Sequence, residues 1–313
     1  MNANTVKKVL VVGSGVMGSS IAQVFGIANI DVVLVDVDQK ILSRAMGLIE
    51  SSLKTLVDFG KISNDKIPSI LSHIKPSTDL TQMIEDADFI IEAVPEVPNI
   101  KKDVFSQLNK LCSTDTVIAS NTSGLDIFSL VDVKRPERLV ITHFFAPAHI
   151  IPLVEIVPGP TTSLETISFT ANLMGRVGKN PIVMKKFGPG FIVNRIQKAI
   201  GEACFEMIEQ GLAGPEEIDR AIKLSLGIRL PVVGVVQSMD FNGLDMLLDT
   251  MRSYGKIYSF VEEKVSRGHL GVKTSRGIYD YQGRSEIEIL KKRDELYLKM
   301  LEYLQKIHAF DPV

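Results

Sequence analysis

A glycine triplet directly after an apolar stretch near the N-terminus constrains this chain more than any other feature. The motif Gly13-Ser-Gly15-Val-Met-Gly18 follows the β-branched run 9–12, which is typical of a strand buried on both faces. Beyond the motif, Ile21, Val24 and Phe25 recur at helical spacing. This order of strand, glycine turn and helix predicts the first half of a βαβ unit with parallel strands.

The same motif carries the chemistry of dinucleotide binding. The first glycine permits a tight turn, the second lets a pyrophosphate approach the backbone, and the third allows close packing of helix and strand. The helix N-terminus offers free N–H groups to phosphates. Asp36, which ends the next apolar run, would accept hydrogen bonds from ribose hydroxyls and repel a 2′-phosphate. We therefore predict NAD as the cofactor, with contacts at Gly13, Gly15, Val16, Met17, Gly18 and Asp36. A purely structural glycine turn is the alternative.

Short apolar runs that alternate with helical patterns continue as far as about residue 186. This alternation predicts an α/β fold with a Rossmann-type, doubly wound sheet, whose predicted strands are 9–12, 31–36, 89–94, 117–120, 139–143 and 153–157. Over 191–210 the apolar residues recur at helical spacing, and no later segment has the pattern of a strand. We predict a dinucleotide-binding domain over residues 1–186 and an all-helical C-terminal domain over 187–313.

The composition excludes several other classes of protein. The chain has 313 residues, a formal charge of −2, no tryptophan and two cysteines, which disfavours nucleic-acid binding and a disulfide framework. Glycines and serines interrupt the apolar run after Lys7 and Lys8, which argues against a signal peptide or a membrane span. No pair of the five histidines has the spacing of a zinc-binding helix. We predict a cytoplasmic protein without a metal site, a membrane contact or a nucleic-acid partner.

A carboxylate within an apolar strand is the second informative feature. Glu155 interrupts the run 153–157, and His143 ends the preceding predicted strand. A buried, unpaired carboxylate is costly, and two neighbouring strands could bring these groups together. A histidine held by a carboxylate is suited to proton transfer. The spacing alone leaves a second interpretation open, in which Glu155 is exposed and His143 is an ordinary core or surface residue.

Motifs along most of the chain occur in an order that is typical of one enzyme family. After the glycine motif come Glu92-Ala-Val-Pro-Glu96, Ser120-Asn-Thr-Ser123, His143-Phe-Phe, Pro152-Leu-Val-Glu155, Gly188-Pro-Gly-Phe-Ile-Val-Asn-Arg195, Leu270-Gly-Val-Lys-Thr and Gly277-Ile-Tyr-Asp-Tyr281. Together they resemble the L-3-hydroxyacyl-CoA dehydrogenase family, from about residue 6 to Tyr281. The resemblance implies NAD-dependent oxidation of the 3-hydroxyl of an L-3-hydroxyacyl-CoA, or the reverse reaction, in fatty acid metabolism.

The resemblance also implies roles at the reacting centre. His143 would be the general base that takes the hydroxyl proton, and Glu155 would orient it. Ser123 and Asn194 would form hydrogen bonds with the reacting oxygen or with the histidine, and would thus help to bind the substrate.

Further implied roles concern the cofactor, coenzyme A and assembly. Glu96 and Lys101 would contact the nicotinamide-side ribose. Lys54 and Lys61 flank a break near Gly60 in a helical hairpin predicted over 39–71, where the family places its contacts to the CoA phosphates. Dimers are usual in the family, so the resemblance also implies a homodimer.

Three features depart from the usual pattern of the family. Ala146 replaces an asparagine, Gly124 replaces a serine, and a predicted helix over 286–307 follows the last motif. This tail is more similar to the gulonate dehydrogenase (lambda-crystallin) and carnitine dehydrogenase branches, which act on free 3-hydroxy acids. A free-acid dehydrogenase is therefore the main alternative. A non-catalytic NAD-binding protein is a further alternative, which the presence of every implied acid–base residue disfavours.

Overall fold

The computed structural model describes residues 1–81, 84 and 86–311. The chain folds into two compact units, Met1–Ala199 and Ile200–Val313. This division falls within a long helix, whereas the sequence predicts a domain boundary near residue 186, and that boundary stays a prediction.

The first unit is built on one eight-stranded sheet, and the doubly wound class predicted from the sequence is confirmed. Its strands are β1 (Lys8–Val12), β2 (Asp31–Val35), β3 (Ile74–Ser77), β4 (Phe89–Glu92), β5 (Val117–Ser120), β6 (Leu139–Phe144), β7 (Leu153–Pro158) and β8 (Asn180–Val183). Their order is β3-β2-β1-β4-β5-β6-β7-β8. All neighbouring pairs are parallel except β6 and β7, which are antiparallel.

Helices cover both faces of this sheet. They are α1 (Val16–Ile27), α2 (Gln39–Asp58), α3 (Ile67–Ser72), α4 (Pro98–Leu111), α5 (Ile127–Leu130) and α6 (Leu164–Arg176). Alternate residues of β1 enter different cores: Val9 and Val11 pack in one apolar cluster, and Leu10 and Val12 in the other. This is why the first strand has no polar face, since both faces of a parallel sheet are covered.

Two strands of the sheet were missed by the sequence analysis. β3 and β8 lie at the two edges, where each pairs with a single neighbour. Each is four residues long and contains a proline, Pro76 or Pro181, and each is largely exposed or half-buried. Proline is tolerated on edge strands because only one side of such a strand enters the hydrogen-bonded ladder. Apolar patterning therefore does not reveal them.

Helices make up the second unit, as predicted. The long helix α7 (Val193–Glu209) leads into α8 (Pro215–Leu224), α9 (Leu226–Val233), α10 (Gln237–Asn242), α11 (Leu244–Ser253), α12 (Ser259–Ser266) and α13 (Glu286–Lys306). Over 200–311, bridges at Gly271–Arg276 and Arg276–Asp280 are the only sheet-like pairings. No helix of the described chain is both long and apolar enough to cross a bilayer.

A buried aspartate organises the last motif of the sequence within this unit. Asp240 is 1% exposed and accepts hydrogen bonds from the N–H groups of Ile278 (2.8 Å) and Tyr279 (2.9 Å) and from the Tyr281 hydroxyl (3.1 Å). Burial, followed by the charge of Asp240, raises the pKa of Tyr281. The motif Gly277–Tyr281 therefore has a structural role in folding the chain back onto α10.

Candidate active site

A large cavity opens beside the first βα turn of the sheet. Its volume is about 1140 Å³, and its lining includes Gly13, Gly15, Met17 and Asp36 together with the apolar side chains Val37, Ile41, Leu80, Ile100 and Val104. The carboxyl ends of β1 and β2 contribute Val12 and Val35 to the same lining, together with Ala93, which directly follows β4. Ligands of open α/β sheets bind in the crevice outside these strand ends.

The three glycines allow the close backbone packing of the turn beside this cavity and leave its surface open. Gly13 has φ +100°, and a Cβ there would lie 2.6 Å from the carbonyl oxygen of Ala93. A Cβ on Gly18 would lie 1.7 Å from the Gly13 oxygen, so only glycine permits this approach of helix and turn. Gly15, in contrast, faces open space at the cavity. It also precedes the first turn of α1, whose N–H groups have no intrahelical acceptor and suit a pyrophosphate.

Asp36 is held rigidly at the end of β2. Its Oδ2 atom accepts hydrogen bonds from the N–H (2.7 Å) and hydroxyl (2.9 Å) of Ser14, and its Oδ1 atom accepts one from the N–H of Val37 (2.8 Å). These donors orient the carboxylate within the cavity lining. Remaining lone pairs can accept hydrogen bonds from ribose hydroxyls, while the negative charge opposes a phosphate. The residues present therefore fit an NAD-type dinucleotide.

The structure joins His143 to Glu155. The two residues are register partners across the antiparallel β6–β7 pair, and Nδ1 of His143 lies 2.8 Å from Oε2 of Glu155. Both are buried, at 5% and 0% exposure. The rings of Phe145 and Phe191 flank the imidazole, with centroid distances of 4.5 and 5.2 Å. Because the carboxylate engages Nδ1, the other ring nitrogen, Nε2, is the one that can exchange a proton with a ligand.

Glu155 remains ionised despite its burial because it has several donors. Its Oε1 atom accepts hydrogen bonds from the N–H groups of Ile192 and Val193, both at 3.0 Å. Burial alone would raise the pKa of Glu155, but the hydrogen bonds from His143, Val193 and Ile192 outweigh it and hold the pKa below its usual value. The N-terminus of α7 and the residue before it thus supply two of the donors that keep this carboxylate charged.

A second carboxylate fixes the loop that carries Ser123. Oε1 of Glu96 accepts hydrogen bonds from the Thr122 hydroxyl and from the N–H groups of Ser123 (3.0 Å) and Gly124 (3.2 Å). Burial opposes ionisation of Glu96, but these donors and the charge of Lys101 keep its pKa below the usual value. The Ser123 side chain is exposed on this loop and can reach a ligand.

Asn194 lies next to the residues that hold Glu155 and also contacts the serine loop. Its Nδ2 atom donates a hydrogen bond to the backbone oxygen of Ser123 at 3.2 Å. The start of α7 therefore contacts both predicted parts of the site, the His143–Glu155 pair through its backbone and the Ser123 loop through a side chain.

Lys101 is not a solvated lysine. Its side chain is 1% exposed, and its ammonium lies 2.7 Å from Glu92 and 3.1 Å from Glu96. Lys101 and Glu92 are buried, whereas the Glu96 side chain is 37% exposed. Of these three residues, Glu96 is therefore the one that a ligand can reach. A direct contact from Lys101 to a ribose stays a prediction.

The two lysines predicted to bind coenzyme A lie on the surface. Lys54 is on α2 and pairs with Glu50 at 2.7 Å, in an i,i+4 pair whose side chains are 63% and 48% exposed. Lys61 follows the positive-φ residue Gly60 and is also exposed. Both are accessible to a ligand, and the salt bridge of Lys54 offsets part of its charge.

Sequence reasoning assigned no role to Glu92. This residue is 0% exposed within the strand β4. Its carboxylate accepts hydrogen bonds from the Lys101 ammonium, the N–H of Val94 (2.9 Å) and the Ser120 hydroxyl. The sequence did contain a signal for Glu92, because a carboxylate within an apolar strand must have a partner. Glu155 gives the same signal. Among the described residues, no group of three His, Cys, Asp or Glu side chains could hold a metal ion.

Two family models match the chain. The first, described as 3-hydroxyacyl-CoA dehydrogenase, NAD binding domain, matches residues 8–187. The second, described as 3-hydroxyacyl-CoA dehydrogenase, C-terminal domain, matches residues 190–281.

Individual relatives extend this likeness over nearly the whole chain. The chain is 36% identical over 283 residues to the 3-hydroxybutyryl-CoA dehydrogenase of Clostridioides difficile, in an alignment that covers 88% of this chain and 99% of the relative. It is 30% identical over 285 residues to a 5-formyl-3-hydroxy-2-methylpyridine 4-carboxylate 5-dehydrogenase of Mesorhizobium japonicum, with 88% and 91% covered. A crystal structure of a 3-hydroxyacyl-CoA dehydrogenase from Archaeoglobus fulgidus superposes with a TM-score of 0.80 and 30% identity, and covers 96% of this chain and 99% of its own.

Proposed function

Because the chain belongs to the 3-hydroxyacyl-CoA dehydrogenase family, we propose that it interconverts an L-3-hydroxyacyl-CoA and the corresponding 3-oxoacyl-CoA with NAD. The observation that carries the proposal is the buried hydrogen bond between His143 and Glu155 in a chain whose glycine turn and Asp36 fit NAD. When bound, NAD supplies the hydride acceptor for the C3 hydrogen, and the protein handles the hydroxyl proton.

His143 is the proposed general base. In the oxidative direction its Nε2 atom takes the proton from the 3-hydroxyl, and in the reductive direction it returns that proton to the 3-oxo oxygen. Glu155 accepts the hydrogen bond from Nδ1–H, which fixes the tautomer and stabilises the imidazolium that forms. The two backbone donors on Glu155 keep it charged throughout the reaction.

Ser123 and Asn194 are the proposed substrate contacts. The Glu96 carboxylate orients the serine loop through several N–H donors, and Asn194 contacts the same loop. A hydroxyl and an amide placed on such a loop can form hydrogen bonds to the reacting oxygen, which develops negative charge as its proton leaves. Rigid support of both groups favours a single orientation of the substrate.

Oxidation of the hydroxyl group of a free 3-hydroxy acid is the second candidate function. A relative over 88% of the chain has a pyridine carboxylate rather than a thioester in its name, and the charge of Lys54 is partly offset by Glu50. The tail after Tyr281 does not favour this candidate. The crystal structure of the 3-hydroxyacyl-CoA dehydrogenase from Archaeoglobus fulgidus matches 96% of this chain, so its likeness extends into that tail.

A substrate panel separates the two candidates. The purified chain is assayed in the oxidative direction with NAD, in parallel on L-3-hydroxybutyryl-CoA, 3-hydroxybutyrate, L-gulonate and carnitine. We expect kcat/KM for the thioester to exceed that for every free acid by at least about a hundredfold, because the coenzyme A moiety adds binding energy that the acids lack. A free acid that is the better substrate would replace the proposal with the second candidate.

A homodimer in the cytoplasm completes the proposal. α7 is 17 residues long, none of them is buried, and its apolar side chains Ile196, Ile200, Phe205 and Ile208 are exposed in the single chain. An apolar helix face of this length is commonly buried in a two-fold interface. The cytoplasmic location rests on the reduced state expected for the two cysteines, and cell fractionation would test it.

A further inference from the structure

One buried cation in the first unit has no role in the function proposed above. Lys179 follows α6 and is 7% exposed. Its ammonium donates hydrogen bonds to the backbone oxygens of Ala148 and Ile151, the latter at 3.0 Å. Among the described residues no carboxylate forms an ion pair with it, and burial lowers its pKa. Burying an ammonium that is bound only by carbonyl oxygens costs free energy. We therefore expect Lys179 to have a specific role.

The loop that Lys179 holds lies between the two predicted catalytic strands. Residues 145–152 connect β6, which carries His143, to β7, which carries Glu155. At the end of this loop, the backbone oxygen of Pro152 accepts a hydrogen bond from the N–H of Asn180 at 2.8 Å. The ammonium and this backbone bond thus fix the loop against the start of β8 at three carbonyl oxygens.

The same loop also holds the cofactor helix. The hydroxyl oxygen of Ser20, on α1, lies 3.0 Å from Nδ1 of His149. The same oxygen accepts a hydrogen bond from the backbone N–H of His149 at 3.2 Å. Burial, followed by the charge of Lys179, lowers the pKa of His149. A neutral ring can accept a hydrogen bond from the serine hydroxyl at Nδ1, so each residue is both donor and acceptor. The loop therefore joins the His143 strand to the helix that begins at the glycine turn.

We propose that Lys179 is a positioning residue: by fixing the 145–152 loop it sets the position of His143 relative to α1, and thus relative to the cofactor. This inference rests on the proposed dehydrogenase function. Hydride transfer is sensitive to small displacements, since a misplacement of about 1 Å can reduce a rate about a hundredfold. A loop held by an ammonium at Ala148 and Ile151 and by Ser20 at His149 limits such displacement.

Lys179→Met tests the role of the ammonium while preserving the shape of the side chain, with Lys185→Met, an exposed lysine of the same unit, as the control. We expect kcat with acetoacetyl-CoA to fall at least about tenfold in Lys179→Met, while KM changes less than about twofold. This pattern is expected when the chemical step is impaired and substrate binding is not. The NADH dissociation constant, measured by fluorescence, should stay within about threefold. Lys185→Met should match wild type in all three quantities.

A second measurement does not depend on turnover. The protein has five histidines, so the ring signal of His143 can be assigned in a ¹H–¹³C spectrum by its loss in His143→Gln. We expect that signal to shift in Lys179→Met and to stay in place in Lys185→Met. A wild-type chain that oxidises no 3-hydroxyacyl-CoA would refute the proposed function, whereas the spectral shift would still report whether Lys179 positions His143.

Lys179→Ala supplies a further test through chemical rescue. Added ethylammonium should restore at least about a tenth of the lost turnover, because it can donate N–H groups to the two carbonyls, whereas tetramethylammonium should not. Wild-type kcat with an unshifted His143 signal in Lys179→Met would overturn the inference. Failure of both variants to fold would also overturn it, since Lys179 would then serve general stability rather than position.

Discussion

His143 and Glu155 are partners in the register of two antiparallel strands, and a hydrogen bond of 2.8 Å joins Nδ1 of one to Oε2 of the other. Opposed residues of an antiparallel pair lie on the same face of the sheet, with their Cβ atoms close together. The backbone ladder therefore aligns the carboxylate with the imidazole before any loop or substrate contributes. Backbone donors to Glu155 then keep the carboxylate charged.

We expect substitutions of His143 and Glu155 to cause the largest loss of turnover. His143→Gln should lower kcat at least about a hundredfold because the general base is lost, and Glu155→Gln should lower it in the same direction. Steady-state kinetics with acetoacetyl-CoA measures both, while the NADH dissociation constant should change little. Thr142→Val is the matched control, since the neighbouring Thr142 hydroxyl is buried and has no hydrogen-bond partner in the part of the chain that the structure describes. A His143 variant with near wild-type turnover would refute the assignment.

Asp36 should determine the choice of cofactor. Its charge lies in the cavity lining and opposes the 2′-phosphate of NADP, so wild type should use NAD with a kcat/KM at least about a hundredfold higher. Asp36→Asn should narrow that ratio mainly by improving the use of NADP. Initial rates with both cofactors measure the ratio, and Asp58→Asn, at the end of α2, should leave it unchanged. Equal efficiency of wild type with both cofactors would contradict this prediction.

Lys54 and Lys61 should contribute to thioester affinity if they bind the CoA phosphates. Lys54→Ala combined with Lys61→Ala should raise KM for acetoacetyl-CoA several-fold, by about threefold to tenfold, with little change in kcat, as for lost uniform binding. Added salt should raise the wild-type KM in the same direction. The control is the exposed pair on α13, Lys291→Ala with Lys292→Ala. A double variant with unchanged KM would remove these residues from the substrate site.

Acid should destabilise the fold partly through Glu155. The pKa of this carboxyl lies below its ordinary value in the folded state, so its contribution to stability is fully present above the ordinary value and is lost as the pH falls through the folded value. Glu155→Gln should therefore show a smaller decrease in the free energy of unfolding than wild type between about pH 5 and pH 3. Urea unfolding across that range measures the slopes, with Glu302→Gln on α13 as the control. Parallel slopes would contradict the prediction.

The exposed face of α7 should assemble two copies of the chain. Light scattering at micromolar concentration should give about twice the chain mass of 34.5 kDa. Phe205→Asp places a charge at a side chain that is 68% exposed in the single chain, and it should shift the population towards monomer. Leu164→Asp, at an 81% exposed position on α6, should leave the mass unchanged. A monomeric wild type would count against the interface.

Three features of the candidate site were the easiest to single out from the sequence. The glycine turn, the acid after β2 and the carboxylate within β7 each violate the local apolar pattern, and such violations persist only where a ligand or a partner compensates for them. The antiparallel direction of β7 was not specified, because a strand has the same residue pattern in either direction. The edge strands β3 and β8 were missed because prolines and exposure remove the apolar signal there.

Long-range pairs were harder to predict. The hydrogen bond of Lys179 with Ala148 spans 31 residues and that of Ser20 with His149 spans 129, and no periodicity within one segment records either of them. The resemblance implied a ribose contact for Lys101, but no pattern in the sequence indicated that this lysine is buried between Glu92 and Glu96. A lysine near a carboxylate in sequence is common on surfaces, so burial alone distinguishes this one.

The burial of Lys101 also has a consequence for the durability of the protein. A thioester is itself an acylating agent towards amines, so an enzyme that binds one exposes its own lysines to covalent damage by its substrate. The Lys101 ammonium is 1% exposed and bound by two carboxylates, and acylation requires a free, deprotonated and accessible amine. Exposed lysines such as Lys54 would accumulate acyl groups over the life of the protein, while the ammonium that supports Glu96 would be spared.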